Sequence, residues 1–132
     1  MEEVMLKSIG HRQIMIMQCI WESDPEMPPT VAEIAEGVEK KCGKNLSNAN
    51  ITNLCSKLIK KGYLELDQKR GHSFTYKALL SEEEFKQQEI KRMRKTVFGG
   101  SFSSLVTTWA KTDDITEEDI EVIKGILKDY EK

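Results

Sequence analysis

Along the first half of this chain, apolar residues recur at helical spacing in three successive segments. Between Ser8 and Glu22, Ile14, Met17 and Trp21 fall at i, i+3 and i+7, and Ile16 and Ile20 widen the stripe. A stripe that wide predicts a central helix packed on several sides. Ser23-Asp24-Pro25 and Pro28-Pro29 then form a loop that no helix crosses. Thr30 and Glu33 have the S/T-x-x-E spacing of a capping box, and Val31, Ile34, Ala35 and Val38 predict a second helix ending at Gly43. A third helix, Ser47 to Lys61, opens on a good N-cap and carries Ile51, Leu54, Cys55 and Leu58 on one face, with Ile59 beside them.

After Gly62 the period changes from helical to alternating. Tyr63-Leu64-Glu65-Leu66 and Phe74-Thr75-Tyr76 read as strands. Residues 67–73, with Lys69, Arg70, Gly71 and His72 among them, read as a basic connection between the two. Three helices followed by a hairpin with a cationic tip predict a winged helix-turn-helix domain over residues 1–79. Residues 80–132 return to helical spacing. Ser81 and Glu84 cap a helix reaching about Phe98, with Phe85, Ile90, Met93 and Val97 as a sparse seam. Gly99-Gly100 breaks it, and Phe102, Leu105, Val106 and Trp109 predict a short helix. Asp113-Asp114 is a turn, and Thr116 caps a last helix with Ile120, Ile123, Leu127 and Tyr130. The expected fold is mostly α with one small β-hairpin.

The back of the third helix is unusual. Asn48, Ala49, Thr52, Asn53, Ser56 and Lys60 lie opposite its apolar stripe, with Asn50 and Lys57 at the margins. A solvated helix surface favours Glu, Lys and Gln; short amides and hydroxyls cost helix propensity. Asn bonds adenine bidentately, and Ser, Thr and Lys reach base edges or phosphates, so direct readout of double-stranded DNA accounts for that face. Charge agrees, although the formal net charge is only −2. Residues 1–39 balance to −6 and residues 113–132 to −5, whereas residues 40–77 reach +7 through Lys40, Lys41, Lys44, Lys57, Lys60, Lys61, Lys69, Arg70 and Lys77. A basic block between acidic ends is the footprint of a phosphate-contacting surface. The candidate DNA contacts are Ser47, Asn48, Asn50, Thr52, Asn53, Ser56, Lys57 and Lys60 on the helix, with Lys69, Arg70 and His72 on the wing.

Other classes are less well served. With 39% hydrophobic and 32% charged residues the chain reads as a helix-rich globular protein, and no stretch approaches the roughly 18 apolar residues of a membrane span. The start, Met1-Glu2-Glu3, is acidic and unlike a signal peptide, so a cytoplasmic location and no membrane insertion are expected. Cys19, Cys42 and Cys55 offer neither a disulfide framework nor a zinc-ligand spacing, and no metal or cofactor is expected. Cys19 and Cys55 read as core thiols, while Cys42 follows Lys40-Lys41, whose charge favours a thiolate. His11 and His72 have no acidic partner in a catalytic arrangement, and no phosphate loop or HExxH occurs, so an enzyme is not expected. A ligand-responsive winged-helix regulator of another family, or a winged domain that binds protein, remain the alternatives.

Four pieces, in order, resemble the penicillinase repressor family, the BlaI/MecI/CopY group of bacterial regulators. They are the Ile20-Trp21 end of the first helix, the run from Leu58 to Leu64, the run from Gly99 to Val106, and Ile115 to Glu121. The resemblance implies a homodimeric transcriptional repressor on a dyad-symmetric operator, controlling resistance or stress genes. It implies a helical C-terminal dimerisation region. The apolar Phe102/Trp109 face, in a piece too short to bury it alone, needs a partner, either the winged domain or a second copy. The expected dimer contacts are Phe98, Phe102, Leu105, Val106, Trp109, Ile120, Ile123 and Leu127.

It also implies two inducing mechanisms. The copper-responsive branch uses a C-terminal cysteine cluster, which the absence of cysteine after Cys55 excludes. The β-lactam branch is cut by a membrane metalloprotease at an Asn-Phe bond, and the matching bond here is Thr108-Trp109. Where the family usually has Ser-Pro-Lys-Thr at the start of the reading helix, this chain has Ser47-Asn48-Ala49-Asn50. A different operator sequence is expected.

Overall fold

The computed structural model describes residues 5–112 and 114–131. The acidic start Met1-Glu2-Glu3 and the first residue of the Asp113-Asp114 turn lie outside the described residues. The elements are α1 (His11–Glu22), α2 (Val31–Cys42), α3 (Asn48–Lys60), β1 (Leu64–Arg70), β2 (Ser73–Ala78), α4 (Glu82–Thr96), α5 (Phe102–Thr112) and α6 (Glu117–Lys128). They divide into two units, with the boundary between Gln88 and Glu89.

In the first unit α1, α2 and α3 pack around one core and are closed by an antiparallel β1–β2 hairpin, the winged helix-turn-helix arrangement. Ile16, Met17, Ile34, Val38, Ile51, Cys55, Leu58 and Tyr63 are fully buried there. Each helix start follows from a local hydrogen bond. Gly10 rather than Ser8 precedes α1, because its N–H donates to the Gln13 side chain at 3.0 Å. Thr30 and Glu33 form the expected capping box of α2. Ser47 Oγ accepts the Asn50 N–H at 3.1 Å and caps α3. α1 and α2 approach closely at Gly37, where any Cβ would lie 2.8 Å from Cys19 Sγ.

The hairpin differs from its sequence reading. Strand pairing continues through Lys69↔Phe74 and Arg70↔Ser73, so the connection expected at 67–73 shrinks to the two residues Gly71-His72. Gly71 has φ +66°, which a two-residue hairpin turn needs and which glycine adopts without strain. The extra chain length is absorbed by a bulge between Leu66 and Lys69, where Thr75 Oγ1 donates to the Gln68 carbonyl at 2.8 Å.

Phe85, expected on the seam of the C-terminal helices, instead joins this first core. It lies 5.4 Å from the Trp21 ring and 6.1 Å from the Tyr63 ring, centroid to centroid. Trp21 Nε1 donates to the Leu80 carbonyl at 3.0 Å, and Gln88 Nε2 donates to the Tyr63 hydroxyl at 3.0 Å. Aromatic packing and these two bonds extend the first unit into α4.

The second unit holds the rest of α4 with α5 and α6. Ser101 Oγ accepts the Ser104 N–H at the start of α5, and Thr116 and Asp119 form a reciprocal capping box on α6. Neither α5 nor α6 contains a buried residue among those described.

Candidate nucleic-acid interface

α3 is amphipathic because its two faces meet different surroundings. Ile51, Cys55 and Leu58 turn into the core with no exposed area, and burial pushes the Cys55 thiol pKa up to about 12. That thiol is therefore neutral packing material, not a nucleophile. Asn48, Asn50, Thr52, Asn53, Ser56, Lys57 and Lys60 are all exposed on the helix. Among the described residues, the side chains of Asn48, Asn50, Thr52, Asn53 and Ser56 make no hydrogen bond within the protein. Ser47 is exposed too, but its hydroxyl already serves as the helix cap.

The basic block sorts into two groups. Four of its cations are engaged internally. Lys41 Nζ lies 2.6 Å from Glu22 Oε1, Lys40 lies 3.7 Å from Glu36, Lys61 Nζ donates to the Ser8 carbonyl, and Arg70 pairs with Glu33. The hydrogen bond to Glu22 also raises the Lys41 pKa. Lys44, Lys57, Lys60, Lys69 and Lys77 have no acidic partner among the described residues. Lys69 Nζ sits 5.5 Å from the Phe74 ring centroid, a cation–π contact that leaves its charge available. His72 is exposed at the wing turn. Of the three wing candidates, Arg70 alone is paired with a carboxylate among the described residues. Its carboxylate partner, 37 positions earlier, leaves no trace in the local pattern around residue 70.

The second candidate surface is apolar. Phe102 is 59% exposed, Trp109 39%, Ile120 41% and Leu127 56%. Val106 is exposed as well, and Phe98, Leu105 and Ile123 are half-buried. Val97, Val122, Ile126 and Tyr130 add to this exposed surface. Ile126 went unread in the sequence, although it follows Ile123 by one helical step of three. Thr108 and Trp109 are exposed in the middle of α5. No cluster of metal-ligating side chains occurs among the described residues, and no helix there is long and apolar enough to cross a membrane.

A family profile described as penicillinase repressor matches residues 9–129 of the chain. The methicillin resistance regulatory protein MecI of Staphylococcus aureus is 28% identical over 113 residues, which cover 85% of this chain and 86% of that relative. The penicillinase repressor of the same species is 26% identical over 117 residues, covering 89% and 88%. A solution structure of the DNA binding domain of the repressor BlaI is 24% identical; the match spans 64% of this chain and 93% of that one, with a TM-score of 0.47.

Proposed function

This chain belongs to the penicillinase repressor family, and from that premise we propose that it represses transcription as a homodimer on a dyad-symmetric DNA site. The observation that carries the reading is the exposed face of α3. Five short polar side chains there are solvent-facing and spend no hydrogen bond inside the protein, at a cost in helix propensity. Their unspent donors and acceptors suit base edges in a major groove, which admits a helix of this width. Lys57 and Lys60 supply positive charge on that helix, Lys69 adds it on the wing, and His72 stands at the wing turn.

The exposed apolar surface of the C-terminal helices supports self-association. A two-fold pair would cover it and present two copies of α3 to two half-sites one helical turn apart. The dimer contacts in this reading are Phe98, Phe102, Leu105, Val106, Trp109, Ile120, Ile123 and Leu127. Release by cutting at Thr108-Trp109 would require the middle of α5 to unwind, because proteases take extended backbone. Family membership removes the alternative of a regulator from another family, and the unspent polar face of α3 favours DNA over a protein partner.

The test is to select bound duplexes from a random-sequence library with the full chain and compare substitutions by gel shift. Asn53→Ala should relax preference at one position, by about 1–3 kcal/mol per lost bidentate contact. Lys69→Ala should weaken binding to all sequences alike. If neither substitution changed binding, the proposed readout by α3 and the wing would fall.

A further inference from the structure

We propose that Glu33, on α2, is a positioning residue for the wing: it holds Arg70 so that Lys69 and His72 are presented to the DNA backbone. The inference rests on the DNA-contacting reading above and reassigns Arg70 from phosphate contact to latch. Glu33 Oε1 accepts from the Thr30 N–H at 3.0 Å and from the Thr30 hydroxyl at 3.1 Å. The same oxygen accepts from Arg70 Nη2. One carboxylate therefore closes the N-terminus of α2 and grips the outer end of β1.

The placement of the other ties makes that grip decisive. The hairpin is fastened to the start of α2 at a bridge between Thr30 and Thr75, and by the Tyr76 N–H donating to the Pro29 carbonyl at 3.0 Å. Thr30 and Thr75 are buried, so this anchor is firm. Beyond it lie Lys69, Arg70, Gly71, His72 and Ser73, past the bulge that loosens β1. Among the described residues, Arg70–Glu33 is the one hydrogen bond or ion pair that links this outer end to the helices. The pair is exposed, 39% and 51% at its two side chains, and exposed pairs add little to stability. Its consequence is orientation: the arginine is turned toward α2, and Lys69 is left without an acidic partner, resting on the Phe74 ring.

The two roles of Arg70 predict opposite results. Binding of the full chain to a labelled mixed-sequence duplex is measured by anisotropy between about 50 and 200 mM KCl. Glu33→Gln keeps the capping box, which accepts Gln at that position, and removes only the charge. If the latch holds, Glu33→Gln and Arg70→Ala each weaken binding by about three- to fivefold, the scale of one exposed pair. The double variant is then no weaker than either single one, and the salt slope stays at the wild-type value. Lys69→Ala lowers that slope by about 0.9.

A fall of about 0.9 in the slope for Arg70→Ala, with tighter binding by Glu33→Gln, would overturn the latch and make Arg70 a phosphate contact. Additive losses in the double variant would also overturn it. Hydrogen exchange reads the latch without DNA: both single variants should speed exchange of the Gly71, His72 and Ser73 amides, and unchanged rates would refute the proposal. Absence of salt-dependent binding by the wild type would instead defeat the DNA reading itself, whatever the exchange rates.

Discussion

α3 and α5 are written in nearly the same pattern, and the protein uses them in opposite ways. Each carries apolar residues at i, i+3, i+4 and i+7: Ile51, Leu54, Cys55 and Leu58 in one, Phe102, Leu105, Val106 and Trp109 in the other. In α3 three of the four are wholly buried, and in α5 none is. Helical spacing establishes that a face exists; where its partner sits depends on the rest of the chain. The first unit supplies α1, α2 and a hairpin to cover α3. The second unit has too little chain to cover α5 by itself, so its apolar face is left for another surface. The polar faces differ in the complementary sense. α3 backs its buried stripe with amides and lysines, while α5 keeps its large side chains on the outside.

The most forceful way to break this comparison is to truncate one residue from each helix. Leu58→Ala removes a fully buried side chain from a packed core and should cost about 2–5 kcal/mol, read as a lower urea midpoint. Trp109→Ala should leave the unfolding midpoint of the first unit near wild type. It also leaves Trp21 as the single indole reporting on that unit, since the chain has two tryptophans. Its effect should appear instead in sedimentation, as a shift toward monomer. Equal destabilisation of the first unit by both changes would mean that α5 is core, not interface.

A smaller effect sharpens the boundary between the regions. The Tyr63 hydroxyl donates to the Lys7 carbonyl at 2.7 Å and accepts from Gln88 Nε2 at 3.0 Å, while Gln88 Oε1 accepts from the Leu6 N–H at 3.0 Å. This chain of bonds ties the segment before α1, the exit of α3 and the second turn of α4 into one unit. Tyr63→Phe should cost about 1–3 kcal/mol, because it strands partners of a buried hydroxyl, and should leave self-association unchanged. A loss of dimer in that variant would show that the two regions are coupled through α4.

The sequence revealed most where cause and effect lie within a few residues. The capping boxes at Thr30/Glu33 and Ser81/Glu84, the Thr116 cap of α6 and the serine cap of α3 could be read directly because each bond spans three positions. The polar face of α3 was legible for the same reason, since propensity is a local cost. What stayed hidden was set by distant partners. Phe85 looked like part of a C-terminal seam until Trp21 and Tyr63 claimed it. Arg70 looked like a free cation until Glu33 did. The hairpin connection looked long because a bulge, unlike a turn, has no composition of its own.

The gentlest perturbation tests the start of α4, the helix in which the two regions meet. The Glu84 carboxylate accepts the Ser81 N–H at 3.0 Å, and Ser81 Oγ accepts the Glu84 N–H at 3.0 Å. The backbone bond from Ser81 and then its hydroxyl hold the Glu84 pKa below the usual carboxylate range, with slight desolvation acting the other way. Because the folded value lies below the unfolded one, the cap contributes fully above the unfolded pKa and is lost as pH falls through the folded pKa. Acidification should therefore fray the first turn of α4 while the buried ring of Phe85 still holds the helix to its core. Protection of the Ser81 and Glu84 amides, taken relative to the intrinsic base-catalysed exchange rate at each pH, should fall as pH falls. Glu84→Gln retains a cap that does not titrate, so its protection should lose this pH dependence. If the variant kept the wild-type profile, the acid sensitivity would originate elsewhere, and the first turn of α4 would owe its hold to Phe85 and the bonds of Trp21 and Gln88 instead of its cap.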